Sequence, residues 1–186
     1  MRLRNPAVTF GLDLPPEEFN RRWLLCTAVQ AFERGRIDRD EFASRAVTEL
    51  ALAYGSDEFV RRFNHWPDSI FPGAADMLRT ISQVSAVAIL SNTNAMHWQR
   101  PDIRDEILPA VDRAFLSFET GHVKPDPAAF EQVTRHYGCK PDAVFFIDDN
   151  PLNTDAACRF GMQATTCQGL QSVRAGLRDA GILTAD

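Results

Sequence analysis

One stretch of the sequence decides the predicted fold: Ala143-Val144-Phe145-Phe146-Ile147-Asp148-Asp149-Asn150, an apolar run that ends in two adjacent carboxylates. A short apolar run without alternating polar residues is typical of a strand buried on both faces of a parallel sheet. In open α/β sheets, ligands bind in the crevice beyond the carboxyl ends of the strands. The sequence therefore predicts that Asp148 and Asp149 lie at such a crevice.

Spacing alone leaves two interpretations of the Asp148 and Asp149 pair. Neighbouring carboxylates repel each other, and a cation such as Mg²⁺ offsets that repulsion. In the other interpretation the strand simply ends there, and an aspartate caps the helix that follows. The first interpretation predicts a metal site and the second predicts only a helix start, so other parts of the chain have to decide between them.

The composition argues against several classes of function. The chain has 186 residues and a hydrophobic fraction of 45%, so it can bury the core of one domain with a small accessory region. Its net charge of −5 argues against nucleic acid or an anionic membrane as the main partner. We expect no membrane span and no signal peptide. The four cysteines match no disulfide or zinc pattern, which predicts reduced thiols in a cytoplasmic protein.

The first part of the chain shows helical patterns without intervening strands. Residues 1–14 form an ambiguous lead-in, in which Val8-Thr9-Phe10 allows a short strand. We predict three helices after it, which begin at Pro15, Asp38 and Ser56, the first of them ending at Gly35. Together they predict a small helical cap over residues 15–70.

Strands and helices alternate over residues 71–186. The predicted strands cover residues 84–90, 114–117, 143–147 and 162–166. The predicted helices after residue 100 lie near residues 103–111, 126–138, 151–160 and 170–180. Alternation of this kind predicts a doubly wound α/β fold with a parallel sheet.

Polar residues follow three of the predicted strands or the loops beside them. The segments are Ser91-Asn92-Thr93-Asn94, Gly121-His122-Val123-Lys124-Pro125-Asp126-Pro127 and Asp148-Asp149-Asn150. Alone, Ser91 is explained by a cap or turn, and Lys124 by a solvated loop. Together, a hydroxyl, an ammonium and a pair of acids at one sheet edge are the groups that phosphoryl transfer needs.

These segments resemble motifs of a known superfamily. Motifs two, three and four of the haloacid dehalogenase (HAD) superfamily are similar to Ala88-Ile89-Leu90-Ser91-Asn92, Val123-Lys124-Pro125-Asp126-Pro127 and Phe146-Ile147-Asp148-Asp149-Asn150. The helical segment around residues 32–37 resembles the first cap class of that superfamily. Paired acids in the last motif resemble its phosphatases, especially small sugar-phosphate phosphatases, rather than its metal-free dehalogenases.

The resemblance implies roles for five residues. Ser91 and Asn92 would hold the phosphoryl group of a small phosphorylated metabolite, and Lys124 would balance the charge of nucleophile and phosphate. Asp148 and Asp149 would bind or orient Mg²⁺. Ser91, Lys124, Asp148 and Asp149 are therefore the predicted catalytic residues.

One motif of the superfamily is missing from this sequence. The first motif is an apolar strand ending in the nucleophilic aspartate, which forms an aspartyl phosphate. Asp13 is a poor match, because Leu14-Pro15-Pro16 follows it instead of a glycine-rich turn. Three hypotheses remain: an amino-terminally shortened Mg²⁺-dependent phosphatase, a non-catalytic phosphate-binding or scaffolding relative, and a dehalogenase. In the first two hypotheses this polypeptide has little or no phosphatase turnover.

The missing motif has a consequence for folding. Its strand lies in the middle of the superfamily's sheet, between the strands that end at Ser91 and Asp148. We expect that residues 6–12 fill part of the gap, that another copy supplies a strand, or that the chain is poorly stable.

The sequence leaves three aromatic residues undecided. Trp66 and Trp98 either line a substrate pocket or pack between cap and core, and His97 is an open site candidate. The substrate and the oligomeric state are not encoded in a readable pattern.

Overall fold

The computed structural model describes residues 4–184. Its first part is helical. The helices are α1 (Pro6–Phe10), α2 (Pro16–Leu25), α3 (Thr27–Glu33), α4 (Arg39–Glu49) and α5 (Ser56–His65). Aromatic side chains fill the space between them. Phe10, Phe19, Phe42, Phe59 and Phe63 are at most 1% exposed, so this cluster is a closed core of its own.

The short strand that the sequence allows at Val8-Thr9-Phe10 does not form, because these residues are part of α1. Asn5 caps α1 by accepting hydrogen bonds from the N–H groups of the next turn, and Gly11 ends it in the left-handed conformation. Phe10 stacks on Phe19 and is fully buried in the aromatic cluster. Tertiary packing of this one ring therefore overrides the local strand pattern.

The predicted helix from Pro15 to Gly35 is two helices. Cys26 is extended, and it separates α2 from α3. The Glu49 carboxylate, on α4, accepts hydrogen bonds from the backbone N–H groups of Thr27 and Ala28. A carboxylate from a distant helix thus caps α3, which the sequence pattern does not reveal.

The second part alternates strands and helices, as predicted. Its elements are α6 (Ala74–Ile81), β1 (Ala88–Ser91), α7 (Ala95–Trp98), β2 (Arg113–Leu116), α8 (Ser117–Thr120), α9 (Pro127–Tyr137), β3 (Phe145–Asp148), α10 (Pro151–Phe160), β4 (Gln163–Thr166) and α11 (Gly169–Asp179). The predicted helix at 103–111 is irregular, with a π-helical turn at Ile103–Ile107 and a 3₁₀ turn at Leu108–Ala110. Pro109 lacks the N–H that a continued α-helix needs.

The strands form two parallel pairs with helices on both faces. β1 pairs with β2, and β3 pairs with β4. Ile89 packs against α6 and the turn at Ile103–Ile107, whereas its neighbour Leu90 packs against the cluster of α9 and α10. Successive side chains thus enter opposite helical layers, which confirms the doubly wound α/β fold.

The two strand pairs are not joined to each other within the part of the chain that the structure describes. β1 and β3 each pair on one side only, and their residues are half-buried or exposed although most are apolar. The hypothesis that residues 6–12 fill this gap is wrong, because residues 6–10 belong to α1. Between residues 4 and 184, none of the helices is long and apolar enough to span a bilayer.

Candidate active site

Lys124 joins the carboxyl ends of β1 and β3. Its ammonium donates to the backbone carbonyl of Leu90 at 2.8 Å and to Asp148 Oδ2 at 2.6 Å. It also lies 5.5 Å from the centre of the Phe146 ring. The side chains of Lys124 and Asp148 are 9% and 7% exposed, so their ion pair is shielded from water. An ammonium has three N–H donors, which leaves one without a partner among the described residues.

Asp148 is held by donors on both carboxylate oxygens. Oδ2 accepts from Lys124, and Oδ1 accepts from the N–H of Asn150 at 2.9 Å and from Asn153 Nδ2 at 3.0 Å. Burial favours the neutral acid, but the Lys124 ammonium and the N–H donors of Asn150 and Asn153 hold the pKa of Asp148 below its ordinary value. Asp148 is therefore a charged anchor for the lysine.

Asn92 fixes the backbone of Lys124 at the tip of β1. Its Oδ1 accepts from the Lys124 N–H at 2.8 Å, and its Nδ2 donates to the Lys124 carbonyl at 2.9 Å. Both ends of the side-chain amide are occupied by these bonds. In this arrangement the Asn92 side chain positions Lys124. The backbone N–H of Asn92 is then the donor left for the predicted contact with phosphate.

Ser91, at the end of β1, and Asp149, directly after β3, adjoin the contacts of Lys124 in the sequence, and their side chains make no hydrogen bond or ion pair to residues 4–184. Ser91 directly follows Leu90, whose carbonyl binds Lys124, and its hydroxyl makes no hydrogen bond to the described residues. Asp149 is exposed and has no ion pair or hydrogen bond to them. The structure thus brings Lys124 and Asp148 into contact, with a free hydroxyl and a free carboxylate in the adjoining positions.

The free carboxylate suits a Mg²⁺ ligand. Mg²⁺ is usually held by one or two carboxylates together with water and substrate phosphate oxygens. Asp149 can supply one such ligand, and Asp148 lies beside it but is engaged with Lys124. Within residues 4–184, no cluster of three or more histidine, cysteine or acidic side chains is arranged to hold a metal ion. The chain therefore fits Mg²⁺ only if phosphate or another ligand completes the coordination.

The loop that follows Ser91 is fastened to the first residue of α8. Ser117 Oγ accepts from the Thr93 N–H and donates to the Thr93 carbonyl, both at 3.0 Å. On the other side, Gly35 lies so close to the Phe118 carbonyl that an added Cβ would be 2.0 Å from that oxygen. The turn after α3 therefore packs against α8, the short helix that follows β2.

Two of these functional contacts were missed at the sequence level. Asn153 is 7% exposed and holds Asp148 from the first turn of α10. The available sequence signal was a polar residue in the first turn of the helix that directly follows the acid pair. The Ser117 contact had no sequence signal, because its partner Thr93 lies in the loop after β1, far away in the sequence.

His97 packs between the two parts of the chain. Its ring stacks on Phe63 at 4.1 Å, Nε2 contacts the Phe63 carbonyl at 2.9 Å, and Nδ1 contacts Asn94 Nδ2 at 3.3 Å. The tautomer with hydrogen on Nε2 satisfies both contacts. Burial lowers the pKa of His97 to about 4, so the ring is neutral and holds the α7 segment against α5.

The other undecided residues also lie away from Lys124. Trp66 is part of the aromatic cluster of α1 to α5, and Trp98 packs against α6 and the turn at Ile103–Ile107. Asp13 is exposed on the connection between α1 and α2. It lines a surface hollow of about 410 Å³ whose walls come from residues 7–14 alone. Asp13 is therefore not placed at the candidate site.

Several known proteins are similar to this chain. The flavin mononucleotide hydrolase 1 of the Arabidopsis thaliana chloroplast is 30% identical over 156 residues, which are 81% of this chain and 61% of that protein. The D-ribitol-5-phosphate phosphatase of Bacteroides thetaiotaomicron is 24% identical over 140 residues, which are 72% of this chain and 68% of that protein. The chain thus spans less than two thirds of the Arabidopsis hydrolase.

Solved structures support the same fold. A HAD family enzyme of Bacteroides thetaiotaomicron, crystallised with magnesium and inorganic phosphate, has a TM-score of 0.70 at 23% identity and matches 90% of this chain and 88% of that one. A predicted HAD-like hydrolase of Porphyromonas gingivalis also has a TM-score of 0.70, at 21% identity, over 90% and 91% of the two chains. The sequence profile of the haloacid dehalogenase-like hydrolases matches residues 9–161. The chain therefore belongs to the haloacid dehalogenase-like hydrolase family.

Proposed function

We propose that this protein is a Mg²⁺-dependent phosphatase that acts on a small phosphorylated metabolite. One observation supports it above all: the Lys124 ammonium lies between the ends of β1 and β3, bonded to Leu90 and Asp148. Open α/β sheets bind ligands at this edge. The names of the Arabidopsis and Bacteroides relatives describe hydrolysis of small phosphate esters, which agrees with this proposal.

In this proposal, three donors of the chain hold the phosphoryl group. The Ser91 hydroxyl, the Asn92 backbone N–H and the remaining N–H of Lys124 donate to its non-bridging oxygens. Donors that are already positioned stabilise the charge that develops on a transferring phosphoryl group. Asn92 and Asp148 keep the lysine in place, and the loss of either would move the ammonium away from the phosphate.

Asp149 is the proposed Mg²⁺ ligand in this chain, with Asp148 beside it. When bound, Mg²⁺ would neutralise part of the charge on the phosphoryl oxygens. Asp149 suits this role better than Asp148, because its oxygens are not engaged by protein donors. This division of roles separates the two adjacent acids that the sequence left equivalent.

The reaction proposed for this family member passes through an aspartyl phosphate. A carboxylate attacks phosphorus, the bond to the leaving alcohol breaks, and water then releases phosphate. Among residues 4–184, the carboxylate that contacts Lys124 belongs to Asp148, which its other partners already hold. We infer that the attacking carboxylate comes from a segment that these residues do not include.

Binding of inorganic phosphate tests this function without requiring turnover. We expect calorimetric titration to detect phosphate binding that strengthens with Mg²⁺. Ser91→Ala and Asp149→Asn should each weaken binding in the presence of Mg²⁺ by about tenfold or more, because each removes a charge-assisted contact. Without Mg²⁺, Asp149→Asn should have little effect, whereas Ser91→Ala should still weaken binding.

Ser85→Ala is the matched control. Ser85 is exposed in the loop before β1, at the opposite end of the strand from Ser91. The Ser85→Ala protein should bind phosphate with the same affinity as the wild type. Equal affinity of wild type, Ser91→Ala and Asp149→Asn with Mg²⁺ would refute the proposed site.

A further inference from the structure

We propose that His97 and Arg100 are positioning residues for the phosphate site, because they tie the loop after Ser91 to the end of the helical part. The inference rests on the proposed function in one respect: the loop that they hold carries the hydroxyl that would donate to phosphate. It goes beyond that function by making phosphate affinity depend on contacts that lie away from the bound phosphate. The bonds at the connection between the two parts, the packing of α7 and the bonds within the loop support it.

The connection from α5 to α6 is held by hydrogen bonds to its backbone carbonyls. The Arg100 guanidinium donates to the Pro67 carbonyl at 2.6 Å and to the Asp68 carbonyl at 3.2 Å. The Arg4 N–H donates to the Trp66 carbonyl at 3.0 Å. Three successive carbonyls of the connection are thus bound by donors from distant parts of the chain, which fixes the path of its backbone.

Asp102 holds the Arg100 guanidinium in this orientation. Asp102 Oδ1 accepts from Arg100 Nε at 3.0 Å and Oδ2 accepts from Nη2 at 2.7 Å, so two bonds fix the plane of the guanidinium. The two side chains are 18% and 23% exposed, so water screens the pair only in part. Hydrogen bonds from Arg100 hold the pKa of Asp102 below its ordinary value. Asp102 therefore stays charged and keeps the donors of Arg100 directed at the connection.

α7 contacts both parts of the chain. Met96 packs against the aromatic cluster of α1 to α5, whereas Trp98 packs against α6 and the turn at Ile103–Ile107. Between them, His97 stacks on Phe63 and donates from Nε2 to the Phe63 carbonyl at 2.9 Å. Phe63 lies in the last turn of α5. α7 therefore joins the end of the helical part to the α/β part.

The loop between Ser91 and α7 is bonded along most of its length. Ser117 Oγ bonds both backbone groups of Thr93. Asn94 is 4% exposed, accepts from the His97 N–H at 3.0 Å and contacts Nδ1 of the same ring at 3.3 Å. One residue separates Thr93 from Ser91. Movement of His97 would therefore displace Asn94 and Thr93, and with them the Ser91 hydroxyl.

These contacts affect phosphate affinity through preorganisation. A donor that is already in place loses little conformational freedom when phosphate binds, whereas a donor on a loose loop has to be ordered first. The bonds of His97 and Arg100 order the loop and the connection before any ligand arrives. We expect the loss of either side chain to weaken phosphate binding about fivefold, although neither side chain touches phosphate.

Calorimetric titration with inorganic phosphate and Mg²⁺ tests the role of His97. His97→Phe keeps a ring against Phe63 but loses both hydrogen bonds, and it removes no charge because the histidine is neutral. It should bind phosphate about fivefold more weakly than the wild type. His97→Gln can donate to the Phe63 carbonyl and should recover most of the affinity. Equal weakening in both variants would show that the hydrogen bond does not matter and would overturn the role of His97.

The same titration tests Arg100. Arg100→Met should weaken phosphate binding about fivefold, because it frees the carbonyls of the connection. Arg104→Met is the charge-matched control, since the Arg104 guanidinium is exposed and bonds only to the adjacent Asp105 among the described residues. It should change the affinity by less than about twofold. Equal weakening by Arg100→Met and Arg104→Met would show an effect of charge alone and would overturn the role of Arg100.

A double-mutant cycle with Ser91→Ala separates positioning from a merely structural role. When the Ser91 hydroxyl is absent, His97→Phe should weaken phosphate binding by no more than about twofold, because the main donor that it positions is gone. Urea unfolding should show the same loss of stability from His97→Phe in both backgrounds. If His97→Phe weakens phosphate binding equally with and without the Ser91 hydroxyl, the residue is structural only and the proposal fails.

Hydrogen exchange tests the fastening of the loop without phosphate or Mg²⁺. In His97→Phe, the amides of Thr93 and of residue 97 should exchange at least about fivefold faster, because the loop opens more often. The amides of β4 that pair with β3 should not change, since they lie on the other strand pair. Unchanged exchange at Thr93 and residue 97 would refute the fastening.

The two measurements separate this inference from the proposed function. Faster exchange in the loop together with weaker phosphate binding would support both. Faster exchange in a protein whose wild type binds no phosphate would refute the proposed function and the role of the two residues in phosphate binding, and it would leave only the fastening. Phosphate binding by the wild type that neither His97→Phe nor Arg100→Met weakens would refute the positioning role alone.

Discussion

Lys124 and Asp148 form a buried ion pair, and its energetics can be measured by a double-mutant cycle. Removing one member leaves the other charge buried, so Lys124→Met and Asp148→Asn should each lower the free energy of unfolding by about 3 kcal/mol. The double variant should lose less than the sum, because no uncompensated charge remains. Urea unfolding of the four proteins provides the values. Additive losses would show that the two side chains do not interact energetically.

Gly35 lies close to the backbone of Phe118 in α8. Its φ is +65°, and a methyl group there would clash with the Phe118 carbonyl. Gly35→Ala should lower the free energy of unfolding by about 2 kcal/mol or more, through left-handed strain and overpacking. Gly121→Ala is the control, because its φ is +75° and its added Cβ meets no atom within 4 Å. If thermal melts show equal losses of stability for the two variants, the close approach of Gly35 to Phe118 does not contribute to stability.

At the scale of residues, the sequence predicted which side chains meet better than it predicted the hydrogen bonds that hold them. Lys124 and Asp148 meet as expected, because Asp148 ends β3 and the Lys124 loop lies at the same sheet edge. The positioning role of Asn92 and the contact from Asn153 were not predicted, since side-chain hydrogen bonds depend on which loops approach each other. The proposed contacts of these residues with phosphate and with Mg²⁺ stay predictions until the binding experiments are done.

The end of α3 carries an acid whose ionisation should destabilise the fold. Burial raises the pKa of Glu33 to about 7, and the nearby Arg34 only partly opposes this effect. A raised pKa in the folded state means that stability is highest below the ordinary value of 4.5 and falls as the pH rises through about 7. Glu33→Gln cannot ionise, so it should escape this loss.

Chemical unfolding at two pH values tests this consequence. Glu33→Gln and wild type should be about equally stable near pH 4, and the variant should be more stable by about 1–2 kcal/mol near pH 8. Glu106→Gln, at an exposed position in the irregular turn after α7, serves as the charge-matched control. A difference between Glu33→Gln and wild type that stays constant with pH would contradict the assignment.

At the scale of elements, hydrophobic periodicity and the cap residues at helix ends predicted most of the α/β part. α9 lies between Asp126 and Gly138, and α10 ends at Gly161, as the cap residues indicated. The errors occurred where distant residues decide the local structure. α1 is a helix because Phe10 completes an aromatic core, and α3 begins at Thr27 because Glu49 caps it from α4.

The whole molecule combines a closed helical core with an α/β sheet that is open between β1 and β3. The fold class was predictable because alternation of strands and helices allows few topologies. The gap was predictable only through a resemblance that named the absent strand. That a strand of the superfamily is absent there stays a prediction. The expected filling by residues 6–12 was wrong, because Phe10 packs into the aromatic core and residues 6–10 form α1. The cytoplasmic location and the substrate stay predictions.

Mn²⁺ in place of Mg²⁺ tests most directly whether Ser91, Lys124 and Asp149 surround one metal ion and one phosphate. Mn²⁺ occupies oxygen sites like those of Mg²⁺ and broadens nearby amide resonances. With phosphate present, substoichiometric Mn²⁺ should broaden the signals of Asn92, Lys124 and Asp149 before others, and Asp149→Asn should abolish the effect. Broadening centred on Asp13 or on the helical part, or broadening unchanged by Asp149→Asn, would contradict the proposed site.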